Sequence, residues 1–130
     1  MSETPLELVR RFCDAWSSGD LDAIVAYFTD DATYHNIPID PVTGKEAIKA
    51  TIAGFTAGVD KIEFRVHNIV ADGAAVKGKT VVLTERTDVF VAGDKSIELP
   101  VMGTFEVADG KIAAWRDYFD MNQFMSQLTG

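Results

Sequence analysis

The chain has 130 residues, 47% hydrophobic and 25% charged, with 12 basic against 20 acidic side chains and a net charge of −8. That length suits one domain, 1–130, and excludes an α/β-hydrolase or a large barrel enzyme; a domain of this size buries roughly two thirds of its unfolded surface and needs no staples. The acidic balance, with no basic run beyond Arg10-Arg11, argues against nucleic acid and against an anionic membrane surface.

Met1-Ser2-Glu3-Thr4-Pro5 shows no basic segment followed by an apolar stretch, and no transmembrane span is visible, so a soluble cytoplasmic protein is expected. Thr4, Pro5 and Glu7 form a capping box with a proline start for a helix over 4–18, whose apolar face holds Leu8, Phe12, Ala15 and Trp16. Cys13 falls on that helix as a lone, buried, inert thiol. Gly19 stops the helix, and Asp20 caps a second, short one with Leu21, Ile24, Val25 and Phe28 as its stripe, ended by Thr29-Asp30-Asp31. A short strand is predicted over 32–37, then a loop through Pro38, Pro41 and Gly44. Thr43 with Glu46 reads as another capping box, opening a helix to about Ala57. Four strands follow, over about 61–71, 75–91, 95–108 and 111–119, separated by Asp72-Gly73, Gly93-Asp94 and the hairpin signal Asp109-Gly110. A last short helix holds Phe124, Met125 and Leu128. Helices followed by a long antiparallel meander predict an α+β fold with helices on one face of the sheet. A strongly curved sheet closed by them makes a cone with an apolar pocket.

Strand side chains alternate between faces, so parity sorts the candidates. Val82, Thr84, Arg86, Asp88 and Phe90 share one face, opposite Leu83, Glu85, Thr87 and Val89. Trp115, Asp117 and Phe119 share a face that excludes Arg116 and Tyr118, and Tyr34 and Asn36 share another, with His35 facing outward. An acid flanked by two aromatics is expected to be buried, and a buried carboxylate needs a partner. If both faces point into one pocket, the planar fork of Arg86 can hold Asp88 and Asp117 together. Other readings stand beside this one. Arg86 and Asp88 suit an exposed rung next to Glu85, and Asp117 suits a turn cap. Tyr34 suits the core, and Asn36 before Ile37-Pro38 suits a turn. His35 and His67 are too isolated for a metal site, and no phosphate loop is present, so neither metal nor cofactor is expected. Trp16, Phe12, Phe28, Phe55 and the methionines read as core, and Gly78 and Gly103 as bends or bulges.

Three motifs carry a resemblance: Trp115-Arg116-Asp117-Tyr118-Phe119-Asp120 after Gly110-Lys111-Ile112, Glu85-Arg86-Thr87-Asp88, and Tyr34-His35-Asn36-Ile37-Pro38 followed by Gly44-Lys45-Glu46. In that set and order the chain resembles the limonene-1,2-epoxide hydrolase family over nearly its whole length. The resemblance implies the cone-shaped fold shared with nuclear transport factor two and ketosteroid isomerase. It implies Asp117 as the base that takes a proton from water, Asp88 as the acid that protonates the epoxide oxygen, and Arg86 as their bridge. Tyr34 and Asn36 would hold the water, and Trp115 and Phe119 would line the pocket. It also implies a homodimer through the outer face of the sheet, compatible with apolar residues on both faces of the second strand, Val81, Leu83 and Val89 against Val82 and Phe90.

Epoxide opening needs a base behind the water and an acid at the ring oxygen at once. Two aspartates with a free pKa of about 3.9 do both jobs only if their environments split them. The acid is asked for a shift on the order of 3 units, about 4 kcal/mol. Direct attack by water forms no enzyme ester and predicts a trans-diol from a cyclic epoxide. Two rivals share the fold: an isomerase or cyclase of the ketosteroid isomerase or SnoaL type, and a non-catalytic module binding an apolar ligand or subunit.

Overall fold

The computed structural model describes residues 3–72 and 78–129. Thr4 Oγ1 accepts the Glu7 N–H (3.1 Å) and Glu7 Oε1 accepts the Thr4 N–H (3.0 Å), the predicted capping box. It starts helix α1, Pro5–Ala15, which runs into a 3₁₀ turn, Trp16–Ser18, stopped by Gly19 at φ 70°. Asp20 caps the short helix α2, Leu21–Val25, by accepting the Ala23 N–H (3.1 Å).

The structure departs from the sequence reading at the next two junctions. Phe28 opens strand β1, Phe28–Asn36, four residues before the predicted start, so Thr29-Asp30-Asp31 lie on the strand and end no helix. The cause is a pairing no local pattern reports: β1 runs parallel to strand β6, Lys111–Tyr118, and Phe28 pairs with Ile112. The Thr43–Glu46 box does not form either. Val42–Thr43 is a two-residue strand, β2, paired to β1, and the Thr43 hydroxyl lies 3.3 Å from that of Thr33. Gly44, at φ 98°, becomes the N-cap of helix α3, Lys45–Thr56, and its N–H goes to Ala32 O.

The remaining strands follow the predicted meander: β3 Lys61–Ala71, β4 Thr80–Ala92 and β5 Lys95–Ala108, then β6. Gly73 and the predicted strand start at 75 lie outside the described residues. Asp109 (φ 53°) and Gly110 (φ 74°) both take the left-handed conformation that a tight two-residue hairpin requires. Among the described residues six strands form one curved mixed sheet, ordered β2-β1-β6-β5-β4-β3. The fold is α+β, as expected, with α1 across β3 and β4. Among the described residues no helix is long and apolar enough to cross a membrane.

Phe12 centres the core, meeting Trp16, Phe28, Phe105 and Trp115 edge-on at centroid distances of 5.1–6.1 Å. Cys13 is buried beside it, and burial pushes its thiol up to about 12. Phe55, expected in the core, is 37% exposed and lines a cavity instead, and Met102 projects from the outer face of the sheet at 49%. The final helix α4, Met121–Thr129, turns Met121, Phe124 and Leu128 towards the same cavity. β6 pairs with β5 only as far as Met102, leaving the N-terminal half of that β5 edge free. The Gln127 side-chain amide takes over at Glu98, accepting its N–H (2.9 Å) and donating to its carbonyl (3.0 Å).

Candidate active site

Among the described residues, four polar side chains are buried, Thr84, Arg86, Asp88 and Asp117, each at most 4% exposed, and all four form one cluster. Alternation along β4 turns residues 84, 86 and 88 to the inner face, and β6 turns Asp117 there. Between β4 and β6 runs β5, where Gly103 pairs with Thr84 on one side and Asp117 on the other. Arg86 crosses β5 over this glycine. Its Nε donates to Asp88 Oδ1 (2.9 Å), and Nη2 donates to Asp88 Oδ2 and Asp117 Oδ2 (both 2.8 Å). Nη1 donates to Asp117 Oδ1 and Thr84 Oγ1 (both 3.1 Å). Every N–H of the guanidinium therefore has an acceptor. The Phe64 ring covers the cation at 4.7 Å.

Burial works against the Arg86 charge, yet the carboxylates of Asp117 and Asp88 outweigh it and hold the group well above its ordinary value. Asp88 moves the other way for an acid. Burial, helped by the charge of Asp117 and opposed by Arg86, raises it from 3.8 to about 6. A raised carboxyl beside one held by more donors is how two aspartates come to differ in protonation. Asp117 has one donor more than Asp88: the Trp115 indole N–H, 2.7 Å from Oδ1.

β1 brings Tyr34 and Asn36 alongside, with Asn36 opposite Asp117 and Tyr34 opposite Trp115 in the parallel register. The two side chains bond to each other: Asn36 Nδ2 donates to the Tyr34 hydroxyl (3.0 Å), which lies 3.2 Å from Asn36 Oδ1. Burial, then the Asp117 charge, pushes the Tyr34 phenol well up, so it stays a neutral donor. His35 faces away, with Nε2 2.9 Å from Ile39 O.

A cavity of about 250 Å³ opens on this cluster. Asp88, Asp117, Tyr34 and Asn36 bound its inner end, and the half-exposed Ile39, Phe55 and Leu128 bound its mouth. Phe119 lines it. Trp115 does not: it is fully buried one layer behind the wall, stacked between Tyr34 (4.4 Å) and Phe105 (5.5 Å) in a ladder across β1, β6 and β5. Its N–H reaches Asp117, and its ring centroid lies 5.9 Å from the Arg86 guanidinium carbon. Sequence reasoning brought Arg86, Asp88 and Asp117 to one place and missed Thr84, Gly103 and Phe64 as their surroundings. Thr84 carried a signal, since it shares the parity of Arg86 and Asp88. Gly103 carried one that reads wrongly: it marks no bulge, because the register runs unbroken through it on both sides.

A curved α+β sheet holding an apolar cavity, with two aspartates bridged by one arginine at its inner end, defines a class of single-domain cavity protein. The sequence matches the family model described as limonene-1,2-epoxide hydrolase catalytic domain over residues 3–130, and the chain belongs to that family of epoxide hydrolases. It is 38% identical over 123 residues to epoxide hydrolase EphG of Mycobacterium tuberculosis, covering 94% of this chain and 78% of that protein. A solved structure of an M. tuberculosis LEH-like epoxide hydrolase superposes with a TM-score of 0.79 at 34% identity, over 95% of this chain and 88% of the other. A Shewanella putrefaciens protein described as a SnoaL-like polyketide cyclase gives a TM-score of 0.80 at 16% identity, over 98% of each chain, which is a likeness of fold alone.

Proposed function

We propose that the chain, 1–130, works as one domain that adds water to a lipophilic epoxide in a single step, with no enzyme ester, giving a vicinal diol. The observation that carries this reading is the Arg86 bridge between two buried acids at the end of an apolar cavity. Asp117, with three N–H donors around its carboxylate, takes a proton from the attacking water, which Tyr34 and Asn36 hold beside it. Asp88, raised to about 6, gives its proton to the ring oxygen as the carbon–oxygen bond breaks. Arg86 keeps both acids in place, and Trp115 supports Asp117 from behind. The step balances with the substrate, one water and these two side chains, so it calls for no cofactor or metal. Proton exchange with solvent returns the acids to their starting states. Each proton transfer is worth about 10²–10⁴-fold.

A single turnover in H₂¹⁸O with enzyme in excess over a lipophilic epoxide tests the mechanism. Label in the diol of the first turnover is expected. Unlabelled diol there means that a carboxylate oxygen entered the product through an ester, and the one-step reading fails.

We propose further that the protein is a cytoplasmic homodimer joined through the outer face of the sheet. Leu83, Met102 and Tyr118 are 39–49% exposed on that face. Met102 pairs with Tyr118, and Glu85, two residues on from Leu83, pairs with Met102, so the three are near neighbours. Exposed apolar neighbours of this kind favour a protein partner. Sedimentation equilibrium is expected to give twice the chain mass, and Leu83→Asp with Tyr118→Glu to halve it; a wild-type monomer overturns the assignment.

A further inference from the structure

The two carboxylates each take a bidentate pair of bonds, which accounts for four of the five guanidinium N–H groups of Arg86; the fifth, on Nη1, needs an acceptor of its own. Thr84 Oγ1 accepts one Nη1 hydrogen at 3.1 Å, and the same hydroxyl faces Gly103 O at 3.4 Å. The other Nη1 hydrogen goes to Asp117 Oδ1. Gly103 lies beneath all three groups. A Cβ there would fall 2.7 Å from Asp117 Oδ1, 2.9 Å from Thr84 Oγ1, and closer still to Arg86 Nη1. Gly103 has no positive φ, so its backbone is ordinary strand and the glycine is required by this space alone.

We propose that Thr84 and Gly103 are positioning residues for the reaction: together they seat Nη1 of Arg86 so that one guanidinium plane serves Asp88 and Asp117 at once. The inference rests on the reading of these aspartates as acid and base. Without the Thr84 oxygen, one buried N–H has no acceptor and Nη1 loses half of what holds it against Asp117. With a methyl group at 103, Nη1 and Asp117 Oδ1 are pushed apart. In both cases the Nη1–Asp117 Oδ1 contact is disturbed while Nη2 still holds Oδ2, so the carboxylate turns from the position that faces the water.

The test is steady-state kinetics on Thr84→Val, which keeps the shape, with Thr84→Ser as the conservative variant and Gly103→Ala as the steric one. Thr84→Val is expected to lower kcat about 10²-fold, the effect of a small misplacement of reacting groups. KM should stay within about twofold, because Thr84 does not line the cavity. Thr84→Ser should restore most of the rate, and Gly103→Ala should lower kcat with KM little changed. If Thr84→Val does not fold, Thr84→Cys replaces the hydroxyl by a poor acceptor of similar size and should show the same loss. Wild-type kcat in a folded Thr84→Val or Thr84→Cys protein overturns the proposal. Equal loss in Thr84→Ser also does, since it makes the effect one of packing. Asp88→Asn and Asp117→Asn, measured alongside, separate the two levels. If they are inactive and Thr84→Val is normal, the seat alone is wrong; if they turn over normally, the acid–base reading fails and takes the seat with it.

Discussion

Asp88→Asn is expected to lower kcat for diol formation about 10²–10⁴-fold, while the protein keeps its far-ultraviolet spectrum and still binds an unreactive apolar ligand. The amide has the shape of the acid and no proton to give. Its oxygen still accepts from Arg86, while its NH₂ confronts a guanidinium N–H, so the loss at this contact is local. Asp117→Asn is expected to match it, because an amide takes no proton from water. A normal rate in either variant sinks the assignment. The wild-type pH profile carries the same argument. Asp88 must hold its proton to act, and burial raises it from 3.8 to about 6, with Asp117 adding to the shift and Arg86 opposing it. Its protonated fraction falls as pH rises through that value. The alkaline limb of kcat/KM, which reports the free enzyme, is therefore expected near pH 6, falling about tenfold per unit beyond it. The two limbs belong to the coupled pair as a whole. An alkaline limb above pH 8 would mean that another group supplies the proton.

What was legible in the sequence follows from the range of the interactions involved. Caps act over three residues, so the Thr4–Glu7 box and the Asp20 cap read correctly. Alternation acts within a strand, so it put Arg86 with Asp88 and Asp117 with Phe119 on inner faces. Where a distant strand decides, local signals fail. β1 starts at Phe28 because Ile112 waits there, and Thr43 is a strand residue because Thr33 lies opposite. Parity also says nothing about depth. Trp115 and Phe119 share a face, yet the aromatic ladder with Tyr34 and Phe105 covers one and leaves the other on the cavity. Phe55 shows the same limit on a helix: as an aromatic it reads as core, and it lines the cavity instead. Gly103 needed knowledge that an arginine two strands' width from Asp117 crosses over β5. Parity offered the pairing of Asp88 with Asp117 through Arg86 on the condition of a shared pocket, the family resemblance supplied that condition, and neither pointed to the residue that makes the crossing possible.

Arg86→Met gives the largest loss of stability expected here, and the loss depends on pH. Removing the cation leaves two buried carboxylates side by side, and breaking a buried pair in this way destabilises by about 3–5 kcal/mol. The sign follows from linkage. Burial already raises Asp88 and Arg86 opposes the rise, so without Arg86 it holds its proton in the folded state still further above the unfolded value of about 3.9, and the deficit is small at low pH and grows as pH rises. Urea unfolding at pH 5 and pH 8 should therefore show a larger difference from wild type at pH 8. Equal stability of the two proteins at pH 8 would mean that water reaches the cluster and screens it. Arg86→Lys should keep more stability and little activity, because one ammonium cannot meet the five acceptor contacts that the fork now serves. Replacing the whole cluster, Arg86→Met with Asp88→Leu and Asp117→Leu, is expected to recover the stability lost in Arg86→Met alone, since well-packed apolar groups often equal or exceed a buried ion network. It should have no hydrolase activity. Recovered stability without activity would mean that the charged residues serve the substrate and not the fold; no recovery would mean that the ion network itself holds the fold.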